Sequence, residues 1–358
     1  MKKLLLLLFC LPLLTSCSFV TMERQIYPIC MSIDRTEDGR FLVGVQAPRA
    51  TQSQGASYEL IAAQGDTLEE TLRTLSASTP YPLNFSQIRL CAVGYSLAAT
   101  TELRPLLRVL LELPTMRPNA YVSIAMGQAL TVLEKQQPDF GTRLSTHLSL
   151  LLARAQQEHL LPDSTLSQCV RELSDGRSDP LIGVCAVNTR LLPEEKQGQQ
   201  QPSSGGSGSG GEGSSPAFAL GEPWSDALLP ADIVAGLIPH ESQNPVEYLG
   251  AAAVSDGRVS GVLTADQTQL VLRMLDEADL HVAREGEKLQ LQIFLKQKSP
   301  LVESVEAIRG VMAHLQSLDC DPLLFGCRCS MGFATQKEWD AYRFDRRYPA
   351  AEVRIGME

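Results

Sequence analysis

Between Ile26 and Gln136 the hydrophobic pattern keeps switching period, and this alternation limits the possible fold more than any other feature. "IYPICMSID" and "RFLVGVQA" are apolar, partly alternating runs. They flank "RTEDG", whose Asp38-Gly39 supplies turn chemistry, so residues 26–47 read as a β-hairpin. "GDTLEETLRTLSAST" then reads as a helix. Asp66 or Thr67 can cap it, Glu69 and Glu70 lie in its first turn, and Leu68, Leu72 and Leu75 share a face. "IRLCAVGYSLA" is a buried strand, "LRPLLRVLLEL" a helix with Pro105 near its start, "AYVSIAMG" a strand and "QALTVLEKQ" a short helix. Strand, helix, strand, helix and strand in succession predict layers of helix on sheet.

Two more leucine-rich helices follow in 142–174, and "PLIGVCAVNTRLL" reads as a strand. Residues 194–216 are then mostly Gln, Ser and Gly. With so little to bury, they are expected to be a flexible tether spanning about 25 Å on average. "GSGSGG" inside the tract matches G-x-G-x-x-G in form only, since no strand precedes it and no helix follows. Beyond it, "EYLGAAAVSDGRVSGVLT" is a second hairpin around Asp256-Gly257. "ADQTQLVLRMLDEA" reads as a helix, "KLQLQIFLKQK" as a half-buried strand and "PLVESVEAIRGVMAHLQSL" as an amphipathic helix. "CDPLLFGCRCSM" is expected to be a strand region, and the chain ends in a short strand. The fold class is therefore α+β or mixed α/β, multi-domain, with small sheets packed against helices. The expected divisions are a leader at 1–16, an N-terminal region at 17–193, a flexible segment at 194–244 and a C-terminal domain at 245–358.

The leader has Lys2 and Lys3 followed by an apolar run from Leu4 to Leu14. That run is shorter than the ~20 residues a spanning helix needs and has the proportions of a signal peptide. Leu14-Thr15-Ser16-Cys17 resembles the bacterial lipobox, which makes Cys17 the expected lipidation site. Each buried methylene contributes about 0.8 kcal/mol, so two acyl chains hold where one is marginal. The plainer alternatives for Cys17 are an ordinary secretory signal or a hydrophobic strand.

The formal net charge of −10 argues against nucleic acid and against a polybasic membrane patch, and leaves a protein as the expected partner. Nine cysteines are present; setting aside Cys10 and Cys17 leaves Cys30, Cys91, Cys169, Cys185, Cys320, Cys327 and Cys329. An odd number in an exported chain implies a free thiol. On a strand, Cys327 and Cys329 would share a face, and Cys320 nearby makes a soft-metal site conceivable. Structural zinc wants four ligands and no fourth stands out, so free thiols, or one disulfide to Cys320, is the plainer reading. His147, His159, His240, His281 and His314 show no ligand spacing, and no nucleophile elbow is present. No catalytic, cofactor or metal residue is assigned. Asp34 and Asp321 each adjoin an apolar segment. Both read as turn or cap carboxylates, Asp321 more sharply as fixing the backbone before Phe325-Gly326.

Six segments in order carry a family resemblance: "ERQIYPICMSIDRTEDGRFLVGVQ", "GDTLEE", "LNFSQIRLCAVGYSLA", "RPNAYVSIAMGQALTVL", "YLGAAAVSDGRVSGVLT" and "DPLLFG" before Trp339. Behind a lipobox, they resemble the Ger(x)C family, the lipoprotein C subunit of spore nutrient-germinant receptors. The sequence departs from the family in a C-terminal region shorter than usual, in Ser255 where the hairpin usually has Phe, and in the Gly/Ser tract. The resemblance implies a membrane-anchored, three-domain protein without enzymatic activity. It implies work with two integral-membrane receptor subunits at the inner spore membrane, triggering germination. Other readings of the chain are a solute-binding lipoprotein serving a transporter, which needs a cleft between two lobes, and a lipid-anchored hydrolase, which needs a nucleophile.

Overall fold

The computed structural model describes residues 24–49, 58–138, 142–188, 244–285 and 288–357. The leader, Cys17, His240 and all of 194–244 but its last residue lie outside them.

The first hairpin forms as its pattern predicts. β1 (Cys30–Arg35) pairs antiparallel with β2 (Phe41–Pro48), and Gly39 in the turn has φ of 81°, a left-handed value that suits glycine. β3 (Tyr58–Gly65), which the pattern does not predict, pairs antiparallel on the far side of β2. α1 (Leu68–Ala77) starts at Thr67, whose side chain accepts from the Glu70 amide. β4 (Leu90–Gly94) runs into α2 (Tyr95–Thr100), then α3 (Leu103–Leu111). β5 (Tyr121–Ala125) leads to α4 (Ala129–Lys135), α5 (Leu144–Gln157) and α6 (Leu166–Asp175), and β6 (Leu181–Val187) follows. β7 (Val246–Ser255) and β8 (Arg258–Leu263) form the second hairpin, turned by Asp256 and Gly257, both at positive φ.

These strands make one eight-stranded sheet in the order β3-β2-β1-β4-β5-β6-β7-β8. β1, β4, β5 and β6 are parallel neighbours at its centre. Both faces are covered, so β4 and β5 are buried at every position. On one face Met31, Ile33, Cys91, Val93, Val122 and Ile124 meet the leucines of α1, α3 and α6. On the other, Cys30, Leu90, Ala92, Tyr121 and Cys185 meet α4 and α5.

The segment after 245 gives its hairpin to this sheet and the remainder to a smaller one. α7 (Ala265–Glu277) opens with a capping box, Thr264 with Gln267. It passes directly into β9 (Ala278–Glu285), a second strand the pattern does not predict. β9 pairs antiparallel with β10 (Lys288–Leu295), and β11 (Glu352–Met357) pairs parallel with β10. Between β10 and α8 (Val305–Ser317) lies a short 3₁₀ stretch, Pro300–Ser304. The predicted strand at 320–331 is instead a loop and a short helix, α9 (Phe325–Ser330), followed by α10 (Gln336–Tyr342) and α11 (Phe344–Arg347). Leu181, Ala251, Ala253 and Leu263 of the large sheet share a core with Leu291, Ile293, Ile308, Met312 and Phe325.

Candidate functional site

Asp34 sits at the carboxyl end of β1, beside the ends of β4 and β5. In open α/β sheets this edge, next to a helix start, is where ligands are usually received. Here the chain's own carboxylate occupies the place. Asp34 Oδ1 accepts from the Ala129 amide and Oδ2 from the Leu130 amide, both at 2.8 Å. Two donors left unpaired at the start of α4 are thereby satisfied from 95 residues away in sequence. Asp34 is buried, and burial raises its carboxyl to about 6 although the two amides pull it down. The fit requires glycine at 94, because a Cβ there would stand 2.2 Å from Asp34 Oδ1.

Asp321 repeats the device in the C-terminal part. Its Oδ1 accepts from the Phe325 amide at 3.2 Å and its Oδ2 from the Gly326 amide at 2.6 Å, so it caps α9. Leu324 turns into that helix with φ of 62°. Asp321 also joins the two parts of the chain. Its amide donates to Asp179 Oδ2 at 3.0 Å, and the Asp179 amide donates to the Asp321 carbonyl at 3.1 Å. A Cβ on Gly326 would meet the Arg177 carbonyl at 2.1 Å, so this junction also requires a missing side chain. Burial raises Asp321 to about 7. Burial, then repulsion from Asp319 and Asp256, raises Asp179 as well.

The capping expected of both aspartates is present, and the backbone-fixing reading of Asp321 holds. The strand reading of 327–329 does not hold, whereas the free-thiol reading does. On a helix, residues two apart diverge, so Cys327 lies half-buried near Asp175 while Cys329 is buried in the core. All seven described cysteines are free, and no group of three His, Cys, Asp or Glu able to hold a metal occurs among the described residues. The four described histidines are engaged one by one: His147 with Asn244, His159 with Asp276, His314 with the Val262 carbonyl and His281 against the Phe294 ring. Sequence reasoning missed Asp179 and Gly94, and the close approach of Gly326 to Arg177, whose roles exist only once distant loops meet. Among the described residues no helix is long and apolar enough to cross a membrane.

These features hold chain segments together, and both carboxylates are taken up by backbone donors. Comparison with known proteins gives a likeness for the N-terminal part. Residues 19–187 match the family model described as the spore germination protein N-terminal domain. No curated protein matches the chain. The solved structure of the GerBC protein is similar at a TM-score of 0.46 and 13% identity, covering 91% of this chain and 95% of that one. Residues 19–187 of the chain thus form a spore germination protein N-terminal domain, of the kind found in the Ger(x)C family.

Proposed function

We propose that this chain is the lipid-anchored, non-enzymatic subunit of a spore nutrient-germinant receptor. The observation that carries the proposal is the germination-protein domain at 19–187, which begins two residues after the lipobox cysteine, Cys17. Acyl chains on Cys17 hold the folded body at the outer face of the inner spore membrane. The body then meets two integral-membrane receptor subunits through protein contacts. Buried carboxylates that clamp helix starts suit such a scaffold, because they keep loops in fixed positions without offering a reactive group.

Deletion of the gene in a spore-former with no second copy tests this. The expected result is loss of the germination response to the nutrient, with response to a non-nutrient trigger retained. Undiminished nutrient response would overturn the proposal.

A further inference from the structure

Arg89 and Arg117 stand together at the amino end of the large sheet. Arg89 immediately precedes β4, and its carbonyl accepts from the amide of Tyr121, the first residue of β5, at 2.9 Å. Arg117 opens the turn into β5, and its carbonyl accepts from the Ala120 amide at 3.1 Å. Neither forms an ion pair with any carboxylate among the described residues. The Arg89 Nε is fully buried and has no acceptor among the described residues. Among the described residues, the Arg117 side chain bonds from its Nε to Asn119 Oδ1 at 3.2 Å. Burial, and then the neighbouring charge of Arg117, press the Arg89 guanidinium below its ordinary range. Two neighbouring arginines with no carboxylate partner among the described residues are unusual in a chain whose formal charge is −10. Fork-like donors of this kind match the oxygens of a phosphate.

The same end of the sheet receives the entering chain. The Ile26 amide donates to the Pro82 carbonyl, and the Arg89 amide donates to the Ile29 carbonyl at 2.8 Å. Exposed Arg24 lies just upstream. Arg24 is seven residue steps from Cys17, a reach of at most about 25 Å. If Cys17 carries lipid, as the proposed function holds, this end of the body is the one tethered closest to the bilayer.

The geometry points to a phosphate-binding site at Arg89 and Arg117 that takes the headgroups of anionic membrane lipids and sets the body's orientation on its tether. The site rests on the lipid-anchor reading for its source of phosphate but not for its chemistry.

The test uses the processed chain from residue 17 carrying Cys17→Ala, so that acyl chains contribute nothing. It is sedimented with vesicles of phosphatidylcholine containing one third phosphatidylglycerol, at low salt in phosphate-free buffer. Each basic group at an anionic leaflet strengthens partitioning about fivefold, so R89Q/R117Q is expected to bind about 30-fold more weakly. R89K/R117K is expected to retain most of the binding, which separates lost charge from lost folding. High salt is expected to abolish the difference. Equal sedimentation of the parent and R89Q/R117Q, or no sedimentation of the parent, would overturn the inference. Titration with inorganic phosphate that reads binding while vesicles read none would overturn the lipid source. The mass of the natural N-terminus reports on the tether separately.

Discussion

Replacing Gly94 by alanine probes the Asp34 clamp most sharply. The new Cβ would lie 2.2 Å from Asp34 Oδ1 and 3.4 Å from its Cγ. Neither strand end can yield freely, since β1 and β4 are hydrogen-bonded neighbours at the centre of the sheet. The carboxylate must therefore leave the Ala129 and Leu130 amides. Hydrogen bonds to a charged group contribute roughly 1.5–3 kcal/mol each, so losing two costs about 3–6 kcal/mol. Urea unfolding followed by circular dichroism reads the total, and hydrogen exchange at the Ala129 and Leu130 amides reads the site. In an Asp34→Ala background the obstacle is gone, and the same glycine substitution should cost less than about 1 kcal/mol, a coupling typical of residues in contact. Equal costs in both backgrounds, or protected amides in Gly94→Ala, would refute the reasoning.

Stability should also depend on pH through the buried carboxyls. Asp34 and Asp321 hold protons up to about 6 and 7 in the folded chain, above the value of about 3.9 expected when unfolded. Their contribution is therefore full below about pH 4 and lost as pH rises through 6 to 7, on the order of 3 kcal/mol for Asp34. Unfolding measured from pH 5 to 8 should show stability falling, with a shallower slope in Asp321→Asn. Cys327 is the one described cysteine that is not buried, so a maleimide should label it first in the native chain, and mass mapping would show whether another thiol precedes it. Trp339 packs with Phe333, Tyr342 and Phe344, and Trp339→Ala should cost about 3–5 kcal/mol by urea unfolding. Cys17→Ala should release the protein from membranes at high salt, and retention after a salt wash would count against lipid as the sole salt-resistant anchor.

The central elements were legible because they are buried on both faces and bounded by strong punctuation. β4 and β5 read directly from "RLCAVG" and "AYVSIA", and both hairpins from Asp-Gly turns. The missed strands lack such signals. β3 is "YELIAAQG", whose Ala, Glu and Gln have little strand preference, and its pairing with β2 makes it a strand. β9 follows α7 with no Gly or Pro between them, so nothing local marks the change of period. α9 was misread because "LLFGCRCS" is apolar and poor in helix formers. Its start depends on a carboxylate four residues upstream that is itself fixed by Asp179, and such a dependence is invisible along the chain. The aspartate caps could be suspected from sequence, but their donors could not.

The proposed function requires a lipid-tethered body working beside membrane subunits. Photo-crosslinking of this chain in intact spore inner membranes, with mass spectrometry of the captured proteins, tests that most directly. The account predicts recovery of two integral-membrane germinant-receptor subunits, together with an N-terminal peptide that begins at a diacylglyceryl-modified Cys17. Recovery of neither subunit, or an N-terminus with an unmodified thiol, would contradict it.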